Sequence, residues 1–295
     1  RSAKIFELGI NSPEVLFAVE FKSSVIDHAY DAYVRPSGDT KELGKQVYSG
    51  FVPTSELVDS YEMAGDGGNF SWEKHGKDPY ANREPRFYAT ILYNGADWMG
   101  RKIESFVGGK DGYKAYENAG AAGTTVTGYY LRKYLIDGDK TWVTSGSGQD
   151  WIVLRYAEVL LNKAEALAME NWNKNSAEAL QALNDVRARV GLPARATADK
   201  ETFLEYVRHE RKVELAGEGF RYWDLRRWRL AEKVIDGQNV HGVKISKQSD
   251  GSFTYEQVDA DGGHKRIFYD RYYRFAIPLS ERSNNSLCTN NDGWI

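Results

Sequence analysis

The sequence predicts a mainly α-helical protein, in which helical hairpins carry irregular loops and a few short β-hairpins. Three observations lead there. Residues 151–235 hold the sustained apolar patterns of 3.6-residue period. Residues 64–150 break repeatedly at Gly and alternate turns with short β-like runs. Residues 236–295 return to turns and short strands and end in the polar "ERSNNSLCTNNDGWI". We expect one region, 1–295, in three parts: loop-rich 1–150, helical hairpins over 151–235, and C-terminal loops and short strands over 236–295.

Each element has its own signal. "EVLFAVEF", residues 14–21, is a short strand favoured by Val and Phe. "DAYVRPSGDTKELG" reads as loop. "PTSELVDSYEM" starts a short helix, capped by Thr54 or Ser55 with Glu56 in its first turn. Gly then recurs in "AGDGGNF", "NGADWMG", "GGKDG" and "GAAGTTVTG", with "RFYATILY" and "GYYLRKYLI" as β-like runs between them. "WIVLRYAEVLLNKAEALAME" reads as one long helix. Ala157, Ala164 and Ala168 let a neighbour approach, and Leu160, Leu161 and Leu167 supply bulk. Ser176 caps a second helix, "AEALQALNDVRARV", striped by Leu180, Leu183, Val186 and Val190 and stopped by Gly191 and Pro193. The two form a helical hairpin. Thr202 and Glu205 make a capping-box pattern for a third helix, which Gly217 and Gly219 end; "RYWDLRRWRLAEKVI" gives a fourth. Tyr61, Tyr156 and Phe275 read as core.

Composition narrows the function classes. A net charge of −3 gives no global reason to expect nucleic acid or an anionic membrane. No run of about 18 apolar residues exists, so no helix here is long and apolar enough to cross a bilayer. The single Cys288 cannot form an intrachain disulfide or a Cys-based zinc site. The start, "RSAKIFELGINSPEVLF", has no Met and no signal-type run, and reads as a processed product or a piece of a longer chain. Tyr and Trp are abundant, at 19 and 8, and each joins a stacking face to a polar handle.

The stretch "ERKVELAGEGFRYWDLRRW", Glu210–Trp228, has the charge density of a catalytic or nucleic-acid site. The four-residue spacing from His209 ends on Val213, so a zincin pair is absent. "DGDKT" at Asp137 and "DADGG" at Asp259 lack the spacing and closing Glu of a calcium loop. We therefore expect no metal and no cofactor. Glu210 and Glu214 share a helix face, whereas a glycosidase pair spans a cleft about 5–10 Å wide. Neighbouring Arg would also lower their pKa values, where a general acid needs one raised. The acidic residues likewise cancel the Arg of a nucleic-acid face. The expectation is an ion network in which Glu210, Arg211, Glu214, Arg221, Trp223, Asp224, Arg227 and Trp228 register one hairpin against the next, with no catalytic residue among them.

In order and spacing, "RYAEVLLNKAEAL", "ALNDVRARVGLP", "ERKVELAGEGFRYWDLRRW" and "FAIPLSERSNNSLCTNNDGW" resemble the SusD/RagB family; "PTSELVDSYEM" and "DPYANREPRFYATILYNG" fit it upstream. The likeness runs from about Pro13 to Trp294. It implies an α-α superhelical scaffold of tetratricopeptide-like helices whose loops, here in 1–150, bind ligand. It implies a non-enzymatic outer-membrane lipoprotein at the cell surface. Such a protein captures oligosaccharide or polysaccharide for a SusC-like TonB-dependent transporter, and its lipid anchor would lie upstream of this chain. The RagB side of the family implies an oligopeptide as the alternative ligand.

Sugar rings lay their C–H faces on aromatic rings and need polar partners for their hydroxyls. Loop aromatics off the helical stripes are therefore the candidate ligand contacts: Tyr30 and Tyr33 with Arg35; Trp72 and Tyr80; Trp98 with Asn94 and Asp97; and Tyr113 and Tyr116.

Overall fold

The computed structural model describes residues 2–65, 67–118 and 124–294. Residues 1, 66, 119–123 and 295 lie outside them, so part of the Gly-rich stretch "GAAGTTVTG" is not described. Helix predominates over strand, and each sheet among the described residues has two strands. The first part runs α1 (Ser2–Leu8), β1 (Val15–Val19), α2 (Tyr30–Val34), α3 (Asp39–Leu43), α4 (Ser55–Val58), α5 (Trp72–His75) and α6 (Pro85–Thr90). Then come the short strands β2 (Ile91–Leu92), β3 (Asp97–Trp98), β4 (Arg101–Lys102) and β5 (Tyr130–Leu131), and finally β6 (Trp151–Arg155). β1 pairs antiparallel with β6, β2 with β5, and β3 with β4.

Three sequence readings change here. "DAYVRPSGDTKELG", read as loop, carries most of α2 and all of α3. "RFYATILY" is mostly helix, because Pro85 occupies the first helical turn, where its missing N–H costs nothing. Trp151 does not open the long helix. It sits on β6, and the helix begins only at Tyr156.

The helical part is α7 (Tyr156–Arg189), α8 (Lys200–Glu214), α9 (Phe220–Arg227) and α10 (Ala231–Ile235). α7 is two arms. Asn171 leaves helical geometry at φ −160°, ψ 95°. Lys163 and Glu178 pair at 2.7 Å, although on one straight helix they would stand about 22 Å apart. The arms therefore fold back as the expected hairpin. Its cap is not Ser176, however: Asn171 Oδ1 accepts the Lys174 N–H at 3.2 Å. The α8 cap is likewise Asp199, which accepts from Thr202 N–H at 2.7 Å, with Thr202 inside the first turn. The expected fourth helix is two, α9 and α10, separated where Arg229 turns to φ 57°.

The first-arm stripe of Ala157, Leu161, Ala164 and Ala168 packs on Ala182, Leu183 and Val186 of the second arm and on Phe203 and Val207 of α8. The small residues set the close approach and the leucines fill the gap, so a Leu161→Ala cavity would cost about 2–5 kcal/mol. The tail contributes a hairpin of β7 (His241–Lys247) and β8 (Phe253–Asp259), then α11 (Leu279–Asn284). Val243 and Ile245 of β7 join Val58 and Tyr61 in a second core. Tyr61 is buried as expected. Tyr156 and Phe275 are not: they are 52% and 57% exposed, each on a face that no core cluster covers.

Candidate functional site

The 210–228 stretch resolves into ion pairs. Glu210 accepts from Arg86 at 2.5 Å and from Arg187 at 3.0 Å. Glu214 accepts from Arg155 at 2.7 Å, Arg86 at 3.1 Å and also Arg189. Glu218 takes both Arg155 Nε and Nη2, at 2.6 and 2.8 Å, and Lys133 at 2.8 Å. Asp224 bridges Arg211 and Arg227, both at 2.8 Å. Arg227 also forks onto Glu165 and lies over the Trp228 ring, whose Nε1 donates to the same Glu165 at 2.8 Å. Burial pushes the Glu214 carboxyl up, but Arg155, Arg189 and Arg86 outweigh it and hold it well below the usual range. A general acid needs the opposite. Two expected members fall outside this web. Arg221 makes no ion pair among the described residues, and burial lowers its pKa. Trp223 is 55% exposed and touches Tyr222 and Phe275 edge-on.

The candidate ligand site is built on α2. Tyr30, Tyr33 and Val34 sit at i, i+3 and i+4, so one helix face carries them together. Segment 48–51 is tied to that helix by its backbone: Tyr48 N–H donates to Ala32 O at 2.7 Å, and Gly50 N–H to Tyr33 O at 2.7 Å. Ser49 turns at φ 47° and its hydroxyl donates to Arg35 O at 2.9 Å. This docking stacks Tyr48 on Tyr33 at 5.1 Å and sets Phe51 edge-on at 6.3 Å. Tyr33, Tyr48 and Phe51 are 45%, 46% and 64% exposed. The three ring faces therefore lie at the surface instead of in a core.

Behind these rings lie two apolar hollows of about 550 and 330 Å³, with Tyr30, Phe51 and Trp151 in the walls of both. Trp151 lies flat on Tyr134 at 4.6 Å and edge-on to Tyr30 at 5.7 Å. His28 Nε2 stands 2.8 Å from Gln149 O while its Nδ1 accepts the Tyr30 N–H at 3.2 Å. A carbonyl only accepts, so Nε2 carries the proton and the ring is neutral. Tyr30 donates its hydroxyl to Lys133 O at 2.9 Å. The wall residues Tyr30 and Trp151 are thus pinned.

Of the residues expected to touch ligand, Tyr30 and Tyr33 are in the cleft. Arg35 is beneath it, fully buried: Nε pairs with Asp31 at 2.7 Å, Nη2 donates to Ile136 O and Asp139 O, and the Trp98 and Trp142 rings cover the guanidinium at 5.3 and 5.2 Å. Arg35 therefore bolts α2 down and offers nothing to a ligand. Trp98 is also fully buried, its Nε1 donating to Asp39 at 3.0 Å. Tyr80 is buried among Phe87, Tyr93 and Tyr255, and Asn94 and Tyr113 are buried too. For these four, a nearby Gly run is a poor guide, since the turns fold their side chains inward. Trp72 is half-buried and held by Asp59 at 2.9 Å. Tyr116 is exposed, but beside His264 and away from the cleft walls. Sequence reasoning missed Tyr48, Phe51 and Trp151. "VYSGFVP" held the signal for the first two: rings flanking Ser-Gly in a short loop have little room to turn inward. Trp151 gave none, because its run looked helical.

Comparison with known proteins fits this architecture. The SusD family model matches residues 13–294. A SusD-like protein P38 from Formosa agariphila is 32% identical over 133 residues, which is 42% of this chain and 25% of that protein. A SusD-like protein from Bacteroides fragilis superposes with TM-score 0.76 at 26% identity, over 99% of this chain and 56% of that one. A SusD-like carbohydrate binding protein from the same species gives TM-score 0.76 at 27% identity, over 96% of this chain and 57% of that one. The chain thus spans a quarter of the curated relative and little more than half of these structures. On a family match that runs over nearly its whole length, the chain belongs to the SusD family.

Proposed function

We propose that this chain is the loop-bearing part of a non-enzymatic glycan-binding protein, and that its ligand lies on the Tyr33, Tyr48 and Phe51 rings. One observation carries the reading: three exposed aromatic faces are clamped to α2 above a pinned apolar cleft, so they are pre-arranged before ligand arrives. The carbohydrate-binding relative from B. fragilis, with the same fold over 96% of this chain, supports it. The hairpin of α7 with α8 serves as a tetratricopeptide-like scaffold, and the ion network keeps its registry. In the whole protein the ligand is an oligosaccharide or polysaccharide captured at the outer-membrane surface. A lipid anchor holds the protein there, and the glycan passes to a SusC-like TonB-dependent transporter.

The test is retardation on gels cast with several polysaccharides, followed by calorimetry on the retarding glycan. Tyr33→Ala and Phe51→Ala should each weaken binding by about 0.5–1.5 kcal/mol, or roughly 2–10-fold. Retention by oligopeptide and by no glycan would move the assignment to peptide capture. Reducing-sugar release by the purified protein would overturn the non-enzymatic reading.

A further inference from the structure

A second hollow adjoins the aromatic cleft and carries more polar and charged residues in its walls. It has a volume of about 590 Å³ and lies between the turn after α1, the segment after β1, and the loops over 136–141 and 148–150. Phe21 walls both this hollow and the smaller apolar one, so the two are contiguous. Its lining mixes the apolar Leu8, Phe21 and Ile136 with polar residues: acidic Glu7, Asp139 and Asp150, one basic Lys22, and Asn11 and Thr141.

The frame of this hollow is fixed. Asp150 accepts the Ile10 N–H at 3.0 Å and the Phe21 N–H at 3.3 Å, which ties two of its walls together. Gly9, at φ 51°, runs so close to that carboxylate that a Cβ would lie 2.2 Å from Oδ2, so only glycine fits there. Asp139 Oδ1 accepts the Thr141 N–H at 2.8 Å. Gln149, also in the lining and only 9% exposed, donates its amide N–H to Phe6 O and so ties this wall to α1.

We propose that this hollow is a second saccharide subsite, which takes a neutral sugar unit through its hydroxyls and disfavours uronate or sulfated units. The proposal rests on the glycan-binding reading above and narrows its ligand class. Carboxylates are strong acceptors for sugar O–H groups, and Thr141 and Asn11 can both donate and accept. Three carboxylates against one ammonium repel an anionic unit at this range, well inside the Debye length of about 8 Å. A glycan lying across Phe21 would stack one unit on the rings and hydrogen-bond the next in the hollow.

Calorimetry with matched di- and tetrasaccharides of the malto, cello, laminari and manno series, and with tetragalacturonate, tests this. The wild-type chain should bind at least one neutral tetrasaccharide about 5-fold or more tighter than its disaccharide, and tetragalacturonate more weakly. Thr141→Phe, which fills the hollow, should abolish the gain from length. Glu7→Gln with Asp139→Asn should tighten tetragalacturonate by about 5-fold, and this arm decides the matter if Thr141→Phe lowers the melting temperature. A length gain that survives Thr141→Phe, or a wild-type preference for tetragalacturonate, overturns the subsite. It leaves the aromatic cleft standing if Tyr33→Ala still weakens the disaccharide. Failure of every saccharide to bind the wild type overturns both.

Discussion

Glu210–Trp228 and Tyr30–Phe51 are both dense in charged and aromatic side chains, yet they do opposite things with them. In the first, Glu210, Glu214, Glu218 and Asp224 are each taken by at least two cations, and the rings lie over guanidinium groups or on the outer face. In the second, Asp31, Arg35 and Asp39 sink below the surface while three rings stay above it. Arg35, Asp31 and Asp39 form a buried clamp, which Arg101 extends to Asp111, and Tyr33, Tyr48 and Phe51 stand clear. Charge density marks where the chain is braced. Binding capacity is left where a brace holds apolar faces open to water.

The comparison can be broken at several points. The largest effect is expected from Arg155→Ala, which leaves Glu218 with Lys133 alone and takes one cation from Glu214, both buried. Removing one partner of such a web costs about 3–5 kcal/mol, so thermal denaturation should show a fall of roughly 6–15 °C. A shift under a degree or two would mean that the web does not brace the hairpin. Asp224→Ala should come next, at about 2–4 kcal/mol by chemical denaturation, since Arg211 and Arg227 both lose their acceptor. Arg221→Ala, which breaks no ion pair among the described residues, should cost under about 1 kcal/mol. Equal losses from the two would show that the network is drawn too narrowly. On the cleft side, Tyr33→Ala should leave the melting temperature within about 2 °C of wild type while weakening glycan binding.

The smallest effect is a pH signature. Burial raises the Asp59 carboxyl from 3.8 to about 6, against the Trp72 indole that donates to it. A carboxyl raised in the folded state holds its proton more tightly folded than unfolded. Its stabilising contribution is therefore full below about pH 4 and is lost as pH rises through about 6. Asp59→Asn keeps an acceptor for Trp72 and removes this loss, so its melting temperature should gain on wild type by roughly 2–4 °C between pH 4 and pH 7.5. Glu214 and Glu218, held low by Arg155, behave oppositely in both proteins: their contribution is present above about pH 4.5 and falls away in acid. An Asp59→Asn curve parallel to wild type would show that Asp59 titrates normally.

By itself the sequence determined the helical hairpin, its apolar stripes, the Gly-broken loop region, the tail of turns and strands, and family membership through the spacing of its blocks. These follow from local periodicity and turn chemistry, which need no knowledge of distant contacts. It also argued against Glu210 and Glu214 as a catalytic pair, since two carboxylates one helical turn apart point the same way. Only the tertiary structure decided the caps, where Asn171 and Asp199 displaced Ser176 and Thr202 because several residues could supply the same hydrogen bond. It alone decided which loop rings face out. Tyr80 and Trp98 turn inward against residues far along the chain, while Tyr33 is held at the surface by segment 48–51 and by a buried Arg35. Whether an aromatic is a wall or a platform depends on what packs behind it, and that neighbour comes from elsewhere in the sequence.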